Sequence, residues 1–247
     1  MEERRWIKQF AGRVGTDTAT RARAIPVLPK LVNARAMEVP AHALLMPVGY
    51  SRSCVAPVYF DLAKSRVMLV LGNDIDDIAR YLRGLREACA LRQDVTYRFV
   101  DPQRVLGDVQ DDNVLQEDEP VCAFVQSLDQ GGADARIVVF TSIVQTMSAL
   151  PAREGELLEE FLSEERNAHA HALVVATELW RAKSIYQDWY RVVTAYGNGV
   201  WVGGGFAEQT AFGFARSLPE YRRPAARSDG FLVMRGQVES VRLLEAT

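Results

Sequence analysis

Apolar positions along the chain follow two rhythms. Short, mainly apolar runs recur at VAPVYFDL (55–62), RVMLVLG (66–72), VTYRFVD (95–101), ARIVVFTS (135–142), HALVVAT (171–177) and GVWVGGG (199–205). Runs of this length closed by a turn signal suit strands buried on both faces. Between them the period lengthens to that of a helix. In residues 73–92, Ile75, Ile78, Leu82, Leu85 and Cys89 fall on one stripe, Asn73 stands at the capping position, and Asp76 and Asp77 suit the first turn. In residues 153–167, Leu157, Leu158, Phe161 and Leu162 form a second stripe against a glutamate-rich solvated face. Helical stretches also run through 121–128 and through Trp180 and Trp189, and FLVMRGQVESVRLL (231–244) reads as two strands turning at Arg235-Gly236-Gln237.

Strands alternating with helices predict an α/β domain with a mainly parallel central sheet covered by helices on both faces. Residues 1–50 read differently: a helix over 2–14, then a loose stretch holding Pro26, Pro29, Pro40 and Pro47. They are read as a lead-in helix and linker packing on a module of residues 51–247. The stretch from Asp108 to Glu119 reads as a solvated acidic loop.

Composition narrows the function classes. The chain has 247 residues, 48% hydrophobic and 25% charged, with a net charge of −3. It can build a large core without staples, and it lacks the basic surplus of a phosphate-backbone binder. Nucleic acid is therefore not an expected partner, although Arg222, Arg223 and Arg227 form a local basic group. Cys54, Cys89 and Cys122 follow no ligand spacing and read as reduced, buried thiols. No apolar run is long enough to span a membrane, and the charged first residues lack a signal peptide's apolar stretch.

In a doubly wound sheet, ligands gather at the carboxyl ends of the strands, which directs attention to the turn after RVMLVLG. A phosphate loop reads G-x-x-x-x-G-K-[ST]. Set on Gly72, that frame puts Asp77, Ile78 and Ala79 where the second glycine, the lysine and the hydroxyl belong, and surrounds them with Asn73, Asp74 and Asp76. Carboxylates at a few ångströms repel phosphate. Only Lys8, Lys30, Lys64 and Lys183 among the 29 basic residues are lysines, and none lies in this turn or its helix. The strand ARIVVFTS ends in Thr141 and Ser142, where a nucleotide hydrolase holds its metal-binding carboxylate. Pattern alone leaves open whether this is a decayed phosphate site or a set of ordinary strand ends.

Other constellations read more simply. His169 and His171 could share a strand face but have no third ligand; Asp101, Asp108, Asp111 and Asp112 match no calcium-loop template; no G-x-S-x-G elbow is present; and Gly203, Gly204 and Gly205 read as a flexible turn. No metal is expected. Among the dense aromatics Trp180, Tyr186, Trp189, Tyr190, Tyr196 and Trp201, most suit a core. Trp180, Trp189, Tyr190 and Trp201 are the candidates for an apolar groove that takes a partner helix.

An ordered set of segments runs through nearly the whole chain: RARAIPVLPKLV (21–32), VAPVYFDL with RVMLVLG, ARIVVFTS with HALVVAT, GVWVGGGFAEQTAF (199–212) and the closing FLVMRGQVESVRLL. Together they resemble the C-terminal ATPase module of type VII secretion ATPases, the EssC/EccC branch of the FtsK/SpoIIIE family. The resemblance implies a RecA-like P-loop fold and a cytosolic module of a membrane-anchored parent. It also implies partnership with small helical WXG100-type substrates and with neighbouring ATPase modules. Of the phosphate-loop positions only Gly72 matches, so hydrolysis is not inherited: no catalytic residue and no ATP or magnesium requirement is expected. The alternatives are an active ATPase whose missing groups come from Lys183 or a neighbouring arginine, and a DNA translocase module.

Overall fold

The computed structural model describes residues 27–38, 42–129, 135–163, 171–195, 197–206, 209–214, 218–222 and 226–247. The helix expected over 2–14, His169, Tyr196 and Arg223 lie outside them. In chain order the elements are β1 (Leu45–Ser51), β2 (Pro57–Asp61), β3 (Val67–Gly72), α1 (Ile75–Ala90), β4 (Tyr97–Val100), β5 (Val114–Leu115), α2 (Asp118–Asp129), β6 (Ile137–Phe140), α3 (Ile143–Ala149), α4 (Ala152–Ser163), β7 (Ala172–Glu178), α5 (Leu179–Ala182), α6 (Asp188–Thr194), β8 (Gly199–Val202), β9 (Asp229–Met234) and β10 (Gln237–Leu243). Short 3-10 turns occupy Ala34–Ala36, Gln209–Phe212 and Pro219–Arg222.

Among the described residues ten strands form one sheet in the order β2-β1-β10-β9-β8-β3-β7-β6-β4-β5. From β8 to β5 every pairing is parallel, and from β8 to β2 every pairing is antiparallel. The parallel half is the α/β core expected from the alternating pattern. Its strand β3 is buried at all six positions, because α1 covers one face and α2 to α6 cover the other. On the first face Met68 and Val70 of β3 meet Ile78, Leu82, Leu85 and Cys89 of α1; on the second, Leu69 and Leu71 meet Leu158, Leu179, Trp189 and Trp201. Each such aliphatic side chain removed from water contributes about 1.5–3 kcal/mol.

The antiparallel half corrects the reading of residues 1–50 as lead-in. Leu45–Ser51 is strand β1, inside the sheet between β2 and β10, so a boundary after residue 50 cuts through a strand. Pro47 disguised it, since proline is depleted in strands; it sits beside the register shift between Pro47 and Gly49. A buried carboxylate locks this half together. Asp229, 3% exposed, accepts from Arg242 Nε at 2.7 Å and from Arg52, while Arg242 also donates to the Lys30 carbonyl at 3.0 Å. One charge thus ties the β1–β2 turn, β9, β10 and the arm, and the two guanidiniums supply the partners that a buried charge requires.

Smaller corrections follow. The cap of α1 is Asp74, whose Oδ1 accepts from the Asp76 amide at 2.9 Å, in place of Asn73. The acidic loop contains β5, the edge of the sheet, and α3 follows β6 at once. Cys89 is buried, whereas Cys122 is half-buried and Cys54 is exposed in the β1–β2 turn. The closing hairpin turns at Arg235 and Gly236, both at positive φ (51° and 76°), as a two-residue turn with right-handed strand twist requires. No helix among the described residues is long and apolar enough to cross a membrane.

The contact between β3 and β8 depends on Gly199: a Cβ there would stand 2.1 Å from the Leu69 carbonyl oxygen, a backbone atom that cannot turn aside. Gly199→Ala is expected to cost at least about 2 kcal/mol by forcing these central strands apart, read as a lowered denaturant midpoint.

Candidate functional site

The carboxyl ends of the parallel strands bring Gly72, Asn73, Asp74, Asp76, Asp77, Ile78, Ala79, Thr141 and Ser142 to one edge of the sheet. β7 alone separates β3 from β6, so the two groups lie about 10 Å apart across the sheet. This is the switch point: the chain leaves β3 through α1 toward β4 on one side, and returns through β8 on the other.

The turn itself is short. Only Asn73 and Asp74 stand between Gly72 and the first residue of α1. Asp74 accepts from the Asp76 amide, and Asp76 and Asp77 occupy the first turn, so the positive end of the helix faces its own carboxylates. Ile78, at the position of a phosphate-loop lysine, is fully buried among the apolar residues beneath α1. Ala79, at the hydroxyl position, is buried too. Asp77 lies against the loop after β8: a Cβ on Gly203, which has φ +80°, would come 2.7 Å from Asp77 Oδ2. Beside it Asn73 Nδ2 reaches the Gly204 carbonyl at 3.5 Å. Gly203 and Gly204 are thus the wall that the β3 turn packs on, and the small size of Gly203 admits the Asp77 carboxylate.

Burial pushes the Asp77 carboxyl above its usual range; Arg80, whose Nη1 donates to it at 3.2 Å, pulls down, Asp74 pushes up, and the exposed Arg227 pulls down. The ends of β6 and β7 are polar and buried. Thr141 donates to Asp101 Oδ1 at 2.6 Å, and Asp101 also accepts from the amides of Val105 (2.8 Å) and Leu106 (3.1 Å) and from Gln116 Nε2 (2.8 Å). Asp101 is therefore the organiser of the loop after β4. Asp108 pairs with Arg104, and Asp111 faces Arg86 at 3.8 Å. The hydroxyls of Ser142 and Thr177 are buried without a hydrogen-bond partner. Glu178, level with Gly72 in the β3–β7 register, accepts from Trp180 Nε1 at 3.0 Å and Arg181 Nε at 2.5 Å. His171 is held at 2.6 Å from the Ala135 carbonyl and tilts on Phe161. Among the described residues no cluster of three His, Cys, Asp or Glu side chains is arranged to hold a metal.

The four candidate groove aromatics do not share a surface. Trp201 and Trp189 are buried in the core beneath the helices of the second face, Tyr190 is half-buried beside Trp189 with its hydroxyl pushed up to about 12 by burial, and only Trp180 is exposed. Trp189 and Trp201 recur at helix and strand spacing because they are core, which periodicity cannot separate from a groove.

An apolar groove of about 630 Å3 lies elsewhere, at the far end of α1 from the β3 turn. The helix length puts about 24 Å between the two. Met37, Pro47, Tyr59, Ala88 and Leu91 form its walls, with Arg35, Glu38 and the Arg92–Asp94 ion pair at its rim. It is preformed: Tyr59 donates to the Glu38 carbonyl at 2.7 Å, Tyr50 to the Ala36 carbonyl at 3.1 Å, and Arg92 to the Leu45 carbonyl at 2.9 Å. The sequence reading missed it because its walls come from three distant segments. The one local signal was Leu91, an apolar residue off the α1 stripe and 58% exposed.

The sign of the Asp77 shift gives a test. A carboxyl whose folded pKa is raised contributes stability that is present below its unfolded range and is lost as pH rises through the folded value. Asp77→Asn is thus expected to melt no lower than the parent at pH 7, with the parent gaining on the variant as pH falls toward the carboxylate range. Thermal melts between pH 4 and pH 7 read the crossover.

No family model and no curated protein matches the chain. Solved structures do. EssC ATPases 2 and 3 from Geobacillus thermodenitrificans superpose with a TM-score of 0.75 at 12% identity, over 100% of this chain and 49% of that one. Thermomonospora curvata EccC ATPases 2 and 3, in complex with a signal sequence peptide, give 0.66 at 16% identity over 93% of this chain and 46% of that one. The pCW3 conjugation coupling protein TcpA, a monomer with ATPgS, gives 0.61 at 11% identity over 90% of this chain and 72% of that one. The chain spans about half the length of the EssC and EccC chains. At these identities the likeness is one of architecture, and this chain has the fold of the ATPase modules of EssC and EccC.

Proposed function

We propose that this chain is a non-hydrolysing module of a type VII secretion ATPase, one that recognises secreted substrates and regulates neighbouring ATPase modules. The observation that carries the reading is the Asp77 carboxylate set against Gly203, with Ile78 turned into the core. A nucleotide triphosphate at this turn would meet three carboxylates, a two-residue loop and no lysine; repulsion at such distances outweighs the amides of one helix end. The residues present do not fit ATP and magnesium, and no catalytic step is assigned to them.

Substrate recognition is assigned to the groove at the end of α1. A preformed apolar trough with a mixed-charge rim suits the apolar face of an amphipathic helix, the form of a WXG100-type substrate tail. The EccC structure with a signal sequence peptide supports the choice of ligand class. The two-module chains matched over half their length support neighbouring ATPase modules as the second kind of partner. In such a parent the module would work in the cytosol, behind a membrane anchor elsewhere in the protein.

Calorimetry separates the two halves of this reading. Magnesium-ATP titrated to millimolar concentration should give no binding heat; micromolar affinity would overturn the closed turn and restore an active motor. A cognate substrate tail should bind, and Leu91→Asp, a change at an exposed position, should weaken it at least about tenfold. A tail that binds the variant as well as the parent would remove the groove as its site.

A further inference from the structure

Gly84 stands inside α1, where glycine is a poor helix former and alanine would hold the helix better. The packing gives the reason for it. A Cβ there would stand 2.8 Å from the Glu245 carbonyl carbon and 3.0 Å from its Cα and N, all backbone atoms with no rotamer to turn to. The chain beyond β10 thus crosses α1 through the gap that Gly84 leaves.

Residues 244–247 are fastened on both sides. The Leu244 amide donates to the Val48 carbonyl at 2.9 Å and the Glu245 amide to the Val32 carbonyl at 2.8 Å. Val32 and Leu244 pair in parallel, and both are fully buried. On α1, Glu87 accepts from the Thr247 amide at 3.2 Å and from its hydroxyl at 3.0 Å. Val32 leads directly into the groove at the end of α1. Asn33 caps the turn at Ala34–Ala36, and Ala34, Arg35, Met37 and Glu38 line the groove together with Ala88 and Leu91, one helical turn past Gly84 and Glu87. Tyr50 and Tyr59 hold the far end of this arm wall. Its near end hangs on Val32 and on the Lys30 carbonyl that Arg242 reaches.

We infer that residues 244–247 are a strap, seated by Gly84 and Glu87, that positions the arm wall of the groove, and that strap seating and groove occupancy are coupled. The inference rests on the reading of this groove as the site for an amphipathic helix. Strap and wall share Val32, and strap and groove share α1. A helix that draws the wall onto α1 therefore tightens the strap, and by linkage a strap lifted off α1 weakens the helix by the same factor.

Hydrogen exchange of the full chain, followed by mass spectrometry, tests the coupling in both directions. Gly84→Ala lifts the strap while favouring the helix beneath it, and Glu245→Pro removes the amide that reaches Val32. Each should speed exchange across residues 32–38 at least about fivefold, with the β3 and β7 amides unchanged and the circular-dichroism melt retained. The probe for the groove is a synthetic amphipathic helix of leucine, glutamate and lysine, about five turns or roughly 18 residues long. Both variants should bind it at least about fivefold more weakly than the parent, and at saturation it should slow exchange across 245–247 in the parent. Unchanged exchange across 32–38 in both variants would overturn the strap, and a loosened arm with undiminished peptide affinity would overturn its coupling to the groove. A parent that does not bind the peptide counts against the groove as a helix site, and the exchange comparison then decides the strap by itself.

Discussion

The burial of β3 on both of its faces is the constraint on which the rest depends. Six consecutive residues, Val67 to Gly72, have no solvent side, so β3 cannot be stable until β7 and β8 have paired with it and helices have covered it above and below. Because β7 and β8 both run parallel to it, each must be reached by a crossover, and the helices of those crossovers are the covering layers. The tightest point is Gly199, where the β8 backbone approaches the Leu69 carbonyl. The antiparallel half then extends the sheet from the far side of β8, and the charge on Asp229 fixes it there.

The same constraint makes the switch point and decides its character. A strand flanked by parallel neighbours whose crossovers diverge leaves a crevice at its carboxyl end, and many folds of this kind place a ligand there. Here the crevice is filled from within. The two-residue turn after Gly72 starts α1 early, and the acidic first turn satisfies its own helix end. Gly203 lets the Asp77 carboxylate approach the β8 loop to a distance no other residue would permit. Partial burial in that gap pushes the Asp77 carboxyl above its usual range.

The open apolar surfaces lie elsewhere. One end of α1 is closed and acidic, whereas the other forms an apolar groove with the arm, β1 and β2, held open by tyrosine and arginine hydrogen bonds to backbone carbonyls. The exposed Trp180, held by Glu178, stands next to the closed edge.

Much of this was legible in the residues. The apolar runs from RVMLVLG to GVWVGGG marked the parallel strands β3, β4, β6, β7 and β8, the stripe from Ile75 to Cys89 marked α1, and the frame at Gly72 showed that lysine and hydroxyl were missing, because these properties are local and repeat at the period of the element that carries them. What pattern could not settle was decided by packing between distant segments. Pro47 concealed β1, whose place is fixed by pairing with β10 near the other end of the chain. Trp189 and Trp201 had the spacing of groove or core alike, and only the layers over them made them core. Trp180, two residues beyond the end of β7, was left outside by the direction in which Glu178 holds it. The sequence by itself determined the periodic elements and the residues that stand at the phosphate-loop frame set on Gly72; the tertiary structure alone decided which apolar side chains face water, since exposure is a property of what else the fold brings alongside.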